Sequence, residues 1–140
     1  MLSKGISKPE MGDWLAQCLR ETAGVQVGLA FADCIEDGLE AGPVDSLALR
    51  RVFPMQKTAV IRAAATGKQL ADFVVQQHPF LAGAKMSDGI LYVGDQKVVD
   101  TQSYTVAWCY HSSPFGTAKL DRMGVSLGDA VVRYLKNHAQ

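Results

Sequence analysis

Residues 43–70, PVDSLALRRVFPMQKTAVIRAAATGKQL, contain the segment with the least freedom in this chain. Thr58 to Ala65 carries small side chains on both faces, the pattern of a central strand covered on both sides. Thr66-Gly-Lys-Gln69 follows at once as a capping box, so the strand runs straight into a helix whose apolar face is Leu70, Phe73 and Val74. Upstream, Asp45 caps a short helix bearing Leu47 and Leu49. Pro54 ends that helix, because the residue before a proline is driven out of the α region. Helix, turn, strand and helix in close succession require a layered α/β arrangement.

The same stretch holds Arg50, Arg51, Lys57, Arg62 and Lys68, with no acid between Asp45 and Asp72. It is the first place to look for a small anionic ligand. Asp33, Glu36, Asp37, Glu40 and Asp45 precede it with no base among them. Arg50 and Arg51 are therefore expected to pair with Glu36, Asp37 or Glu40.

The rest of the chain alternates in the same way. Residues 1–6 read as a flexible tail. Ser7-Lys-Pro-Glu10 reads as a capping box, with Pro9 tolerated in the first turn. Met11, Trp14, Leu15, Cys18 and Leu19 follow at helical spacing, and Gly24 stops the helix. Val25 to Phe31 alternates, with Gln26, Gly28 and Ala30 on a face approached closely by something large. His78-Pro79 ends the helix begun at Thr66, and Phe80 to Asp88 reads as a loop. Ile90–Val93 and Tyr104–Tyr110 read as strands, and Ser112 to Gly116 as a loop. Ser126-Leu-Gly-Asp129 opens a last helix with Leu127, Ala130, Val131, Tyr134 and Leu135 inward. The expectation is one α/β (α+β) layered domain over residues 1–140: a mixed β-sheet packed with about four helices.

Composition narrows function mainly by exclusion. The formal net charge is zero, which argues against broad nucleic-acid binding and against a polybasic membrane surface. Cys18, Cys34 and Cys109 form no CxxC and read as buried, reduced thiols. His78, His111 and His138 are far apart without flanking ligand acids, so no metal and no cofactor is expected. Ser112 and Ser113 lack a nucleophile-elbow context, and no catalytic residue is assigned. No signal peptide or apolar span is visible. As written the chain reads as cytoplasmic, and as extracytoplasmic if it is a fragment of a longer exported protein.

Several short segments, in order, carry a resemblance. The helix Met11-Gly-Asp-Trp-Leu-Ala-Gln-Cys-Leu-Arg-Glu21 resembles an LGNLVADALRE-type opening. Val27 to Val44 aligns without a gap on "ALvNgGgIRadlpaGpv". Leu49 to Pro54 resembles the segment before a "PFgN" turn, Thr66 to Leu70 "ltGaqL", and Tyr104 to Ala107 "YrVA". Together these segments resemble the C-terminal domain of the 5′-nucleotidase and UDP-sugar hydrolase family over nearly the whole chain. In that family a separate N-terminal metallophosphoesterase domain does the chemistry. The C-terminal domain grips the substrate, with two aromatic rings sandwiching the base.

Position by position, the gripping groups differ here. The family's Asn is Phe31, its Gly two positions further on is Asp33, and its Arg is Glu36. The "PFgN" aromatic is Met55 and its Asn is Lys57. The second aromatic falls near His111, and "GGDgY" becomes Pro114-Phe-Gly-Thr117. The resemblance thus implies a non-catalytic binding or interaction domain with the nucleotide grip lost or rewritten. Its ligand candidates are Met55, Lys57, His111, Phe115 and Arg50. One alternative is the nucleotide-binding part of a phosphoester hydrolase whose metallophosphoesterase domain is on a separate chain. Another is a structural module that pairs with a second copy. The implied partners are a nucleotide-like or other small anion, a metallophosphoesterase chain, or a homo-oligomer.

Overall fold

The computed structural model describes residues 2, 4–42, 44–54, 57–109 and 120–138, with backbone alone at 46 and 120–122. Near its core lies β1 (Val27–Ala30), in which every residue is buried. Gly28 explains how a helix covers one face. A Cβ there would sit 2.0 Å from the Ala16 carbonyl oxygen, so only glycine lets α1 (Lys8–Ala23) lie directly on the strand. This is the close approach expected from the alternation of Val25 to Phe31. Phe31 points the opposite way and packs edge-on against Phe73 of α3 (Gly67–Gln77), with centroids 5.9 Å apart. The strand is therefore covered by α1 on one side and by α3 on the other.

β1 belongs to a five-stranded mixed sheet in the order β3-β1-β7-β2-β8. It pairs parallel to β7 (Ser103–Cys109), with Gly28 opposite Ala107, and antiparallel to β3 (Phe80–Ala82). β2 (Ala59–Thr66) runs antiparallel to both β7 and β8 (Leu120–Ser126). A small antiparallel sheet, β4 (Ala84–Ser87), β5 (Ile90–Val93) and β6 (Gln96–Lys97), leaves the main body between β3 and β7. α4 (Leu127–Asn137) closes the chain beside α1, where Trp14 and Tyr134 meet edge to face at 5.2 Å. The core runs through the sheet, with Trp108, Phe53, Met11, Leu15 and Leu70 fully buried. Each such side chain contributes about 1.5–3 kcal/mol of transfer free energy.

Among the described residues, the structure shows the expected mixed-sheet architecture with four α-helices. Local punctuation holds in most places. Gly24 caps α1 in the left-handed region at φ 65°. The Thr66–Gln69 box is reciprocal, with N–H to side-chain distances of 3.2 and 2.9 Å. Asp45 accepts from Ala48 N–H at 2.8 Å, and Ser126 accepts from Asp129 N–H at 3.1 Å.

Several expectations need correction. Phe80 to Asp88 is not a loop: it supplies β3 and β4, and β3 is too short to show a period. β8 was not foreseen, because LDRMGVS carries two charges and a glycine, composition that suits an edge strand. β2 is not covered on both faces throughout, since Arg62, Ala64 and Thr66 are exposed. The helical layer ends at Arg62, whose guanidinium donates to the Ala23 carbonyl at 3.1 Å. Leu47 is 68% exposed while Leu49 is buried, because positions two apart on a helix point to opposite sides. Ser7 does not complete a capping box: its hydroxyl donates to the Glu10 carboxylate at 2.6 Å. That bond and the Ser7 N–H hold Glu10 below the usual carboxylate range. The start of the chain is also tied down. Leu2 and Gly42 exchange backbone hydrogen bonds at 2.8 and 2.7 Å, as do Ile6 and Leu39 at 2.7 and 2.8 Å.

Candidate functional site

Where β1 and β7 run parallel, their carboxyl ends finish side by side. That is the place where parallel strands present loops to a ligand. β1 continues there into a short 3-10 helix, Ala32–Cys34, and β7 ends at Cys109. β2 begins at the same end, with Val60 opposite Cys109. Lys57 and Thr58, just ahead of β2, therefore lie at the same rim. The strand ends from which the family-like loops depart converge on one end of the sheet.

Phe31 occupies the position where the resemblance places an Asn. It is 8% exposed and spends its ring on Phe73 rather than offering a polar group outward. Asp33, Glu36 and Asp37 are exposed or nearly so around it. The Glu36 N–H donates to the Val52 carbonyl at 2.8 Å, pinning the acidic loop to α2 (Ser46–Val52). Arg51 reaches Asp37 at 3.5 Å, as expected from the charge pattern. Both side chains are about half exposed, so the pair contributes about 0.2–1 kcal/mol at most. Arg50 is exposed and forms no ion pair among the described residues. Lys57 is exposed in the turn. Met55, His111 and Phe115 lie outside the described residues.

Beneath the rim sit two thiols that spacing alone did not bring together. Cys34 and Cys109 are buried and hydrogen-bond each other. The Cys109 thiol donates, which pulls Cys34 below the ordinary thiol range against the effect of burial. The same bond, with burial, pushes Cys109 well up. Cys18 lies on α1, and burial pushes it to about 12. No signal short of topology reveals the Cys34–Cys109 contact, because the two residues meet only through the parallel pairing of β1 and β7.

Clefts also lie elsewhere among the described residues. One of about 370 Å³ opens between α1, the end of α3 and β3–β4, lined by Asp13, His78, Phe80 and Lys85. A smaller one, about 250 Å³, lies over the ends of α1 and α4 beside Glu21, Arg133, Tyr134 and His138. No cluster of three His, Cys, Asp or Glu suited to a metal occurs among the described residues. No helix there is long and apolar enough to cross a membrane.

The same fold occurs in solved proteins. The chain matches a 5′-nucleotidase precursor from Thermus thermophilus with a TM-score of 0.70 and 15% identity, over 98% of this chain and 34% of that one. It matches a Haemophilus influenzae NAD nucleotidase with a TM-score of 0.73 and 11% identity, over 91% of this chain and 30% of that one. The sulfate thiohydrolase SoxB, also from Thermus thermophilus, shares it with a TM-score of 0.68 and 10% identity, over 96% and 31%. No family model and no curated protein sequence matches the chain. Identities this low speak for the fold alone. The fold is the 5′-nucleotidase C-terminal-like one expected from the sequence, and the chain spans about a third of each of these proteins.

Proposed function

We propose that this chain is a binding or interaction domain built on the substrate-binding scaffold of 5′-nucleotidases, with the nucleotide grip rewritten. The observation that carries the reading is Phe31. At the carboxyl end of β1, where the family-like pattern calls for an outward amide, the ring is buried against Phe73. Beside it Glu36 presents an exposed carboxylate where the pattern calls for an Arg, and a phosphate would be repelled rather than held. The remaining positive groups of the rim, Arg50 and Lys57 among the described residues, leave room for a small anion of different shape. Met55, His111 and Phe115 are the further ligand contacts of this reading. Calorimetric titration with AMP, UMP, adenosine and UDP-glucose tests it. The expected result is no binding tighter than about 1 mM. Micromolar affinity for any unmodified nucleotide overturns the claim that the grip is rewritten.

A second reading has its own support in the one-third coverage of the nucleotidases. On that reading the chain is the substrate-binding part of a phosphoester hydrolase whose metallophosphoesterase domain is a separate polypeptide or domain. Reading the coding sequence on either side separates the two. A metallophosphoesterase frame alongside favours the hydrolase, and unrelated flanks favour the binding module.

A further inference from the structure

Cys34 closes the 3-10 turn after β1, and Cys109 is the last residue of β7. Gly28 stands opposite Ala107 in the parallel pair, so Cys109 is level with Ala30 and lies just under the turn. Ala107 and Cys109 share the sheet face that Gly28 presents to α1, which places Cys109 toward Cys18 as well. The thiols of Cys34 and Cys109 are in hydrogen-bonding contact, and both are buried in the core. Cys18 instead bonds the Thr22 hydroxyl within its own helix. The contact thus singles out one pair among three buried thiols.

We infer that Cys34 and Cys109 form a reversible disulfide that staples the turn after β1 to the end of β7, under the rim of the candidate site. Cys34 sits on the turn and Cys109 at the end of a paired strand, so Cys34 is the thiol that a local opening exposes first. Local opening of the turn, whose neighbours Ala32 and Asp33 are exposed, brings Cys34 to a glutathione disulfide. The Cys34 thiolate attacks one sulfur of that disulfide, its S–S bond breaks, and one glutathione leaves as thiolate. Cys109 then loses its proton and attacks the Cys34 sulfur, and the second glutathione leaves. The two protein thiols are oxidised by two electrons, the glutathione disulfide is reduced to two thiols, and the two protons pass to them. The new bond holds the turn, and with it Phe31, against the sheet.

The full chain, incubated with oxidised glutathione at pH 8 and then alkylated in denaturant, tests this by peptide mass mapping. The expected product has lost the mass of two hydrogen atoms. It contains one linked peptide pair bearing Cys34 and Cys109, with Cys18 alkylated. Its thermal midpoint rises by roughly 10 °C and falls back with dithiothreitol, as closing so long a loop requires. A Cys18→Ser variant gives the same link. Stable glutathione adducts without a link, three alkylated thiols, or a link that includes Cys18 would each overturn the inference.

Discussion

The two ends of β1 follow different rules. Along its length, Gly28 leaves no room for a Cβ beneath α1, and every residue is buried. Just past its carboxyl end the chain turns outward as Ala32 and Asp33, then Glu36 and Asp37. The strand interior is specified by contact, and any side chain added at Gly28 meets the Ala16 backbone. The rim is specified by charge and by one buried ring, so its chemistry can change while the scaffold stands. That difference separates the fold, which this chain shares with nucleotidases, from the ligand, which it need not share.

Substitutions at the two ends sharpen the contrast. The largest effect is expected at Phe31→Asn, which removes a buried ring and inserts an amide, and should cost about 3–5 kcal/mol in urea unfolding if it packs as described. A cost near zero would return Phe31 to the surface and reopen the nucleotide grip. Gly28→Ala comes next, because its Cβ has no space beneath the Ala16 carbonyl. It should lower stability by about 3 kcal/mol; a change below about 1 kcal/mol would mean α1 does not rest on β1. Thr66→Ala removes one cap and should cost about 1 kcal/mol, read by thermal melting.

Smaller still is a pH effect far from the rim. Burial opposes ionisation of Glu21, but hydrogen bonds from Gln17 and His138 outweigh it and hold its carboxyl below the ordinary range. A lowered folded value stabilises above the unfolded carboxylate value, roughly pH 4.3, and the gain is lost as pH falls through the folded value. Both partners are about 40% exposed or more, so solvent screening leaves a few tenths of a kcal/mol, about the size of a surface pair. His138→Ala should flatten the stability profile of acid titration in that window. An unchanged profile would show that the 3.1 Å contact does not persist in solution.

Much of the scaffold could be read from spacing. Helices announced themselves through Asp45, Thr66 and Ser126 as caps, and the alternation around Gly28 pointed to a close helix. What stayed hidden was non-local. β3 and β8 are edge strands, one very short and one charged, and they take their identity from a neighbour rather than from a pattern of their own. Residues 1–6 read as a tail because the strand-like partner for Leu2 and Ile6 is the loop around Leu39 and Gly42. At the site, the order of motifs marked one end of the sheet. The alternation put Phe31 on the face of Val27 and Leu29, but the contact of Cys34 with Cys109 depends on which strands lie together, and one-dimensional spacing does not carry that.

The most direct measurement is a titration of isotope-labelled protein with AMP, followed by amide chemical shifts. If the rim is a ligand surface whose nucleotide grip has been rewritten, shifts gather at residues 31–34, Lys57 and Cys109 and fail to saturate below about 1 mM. Saturation at micromolar AMP, or shifts confined to the cleft around Asp13 and Phe80, would contradict it.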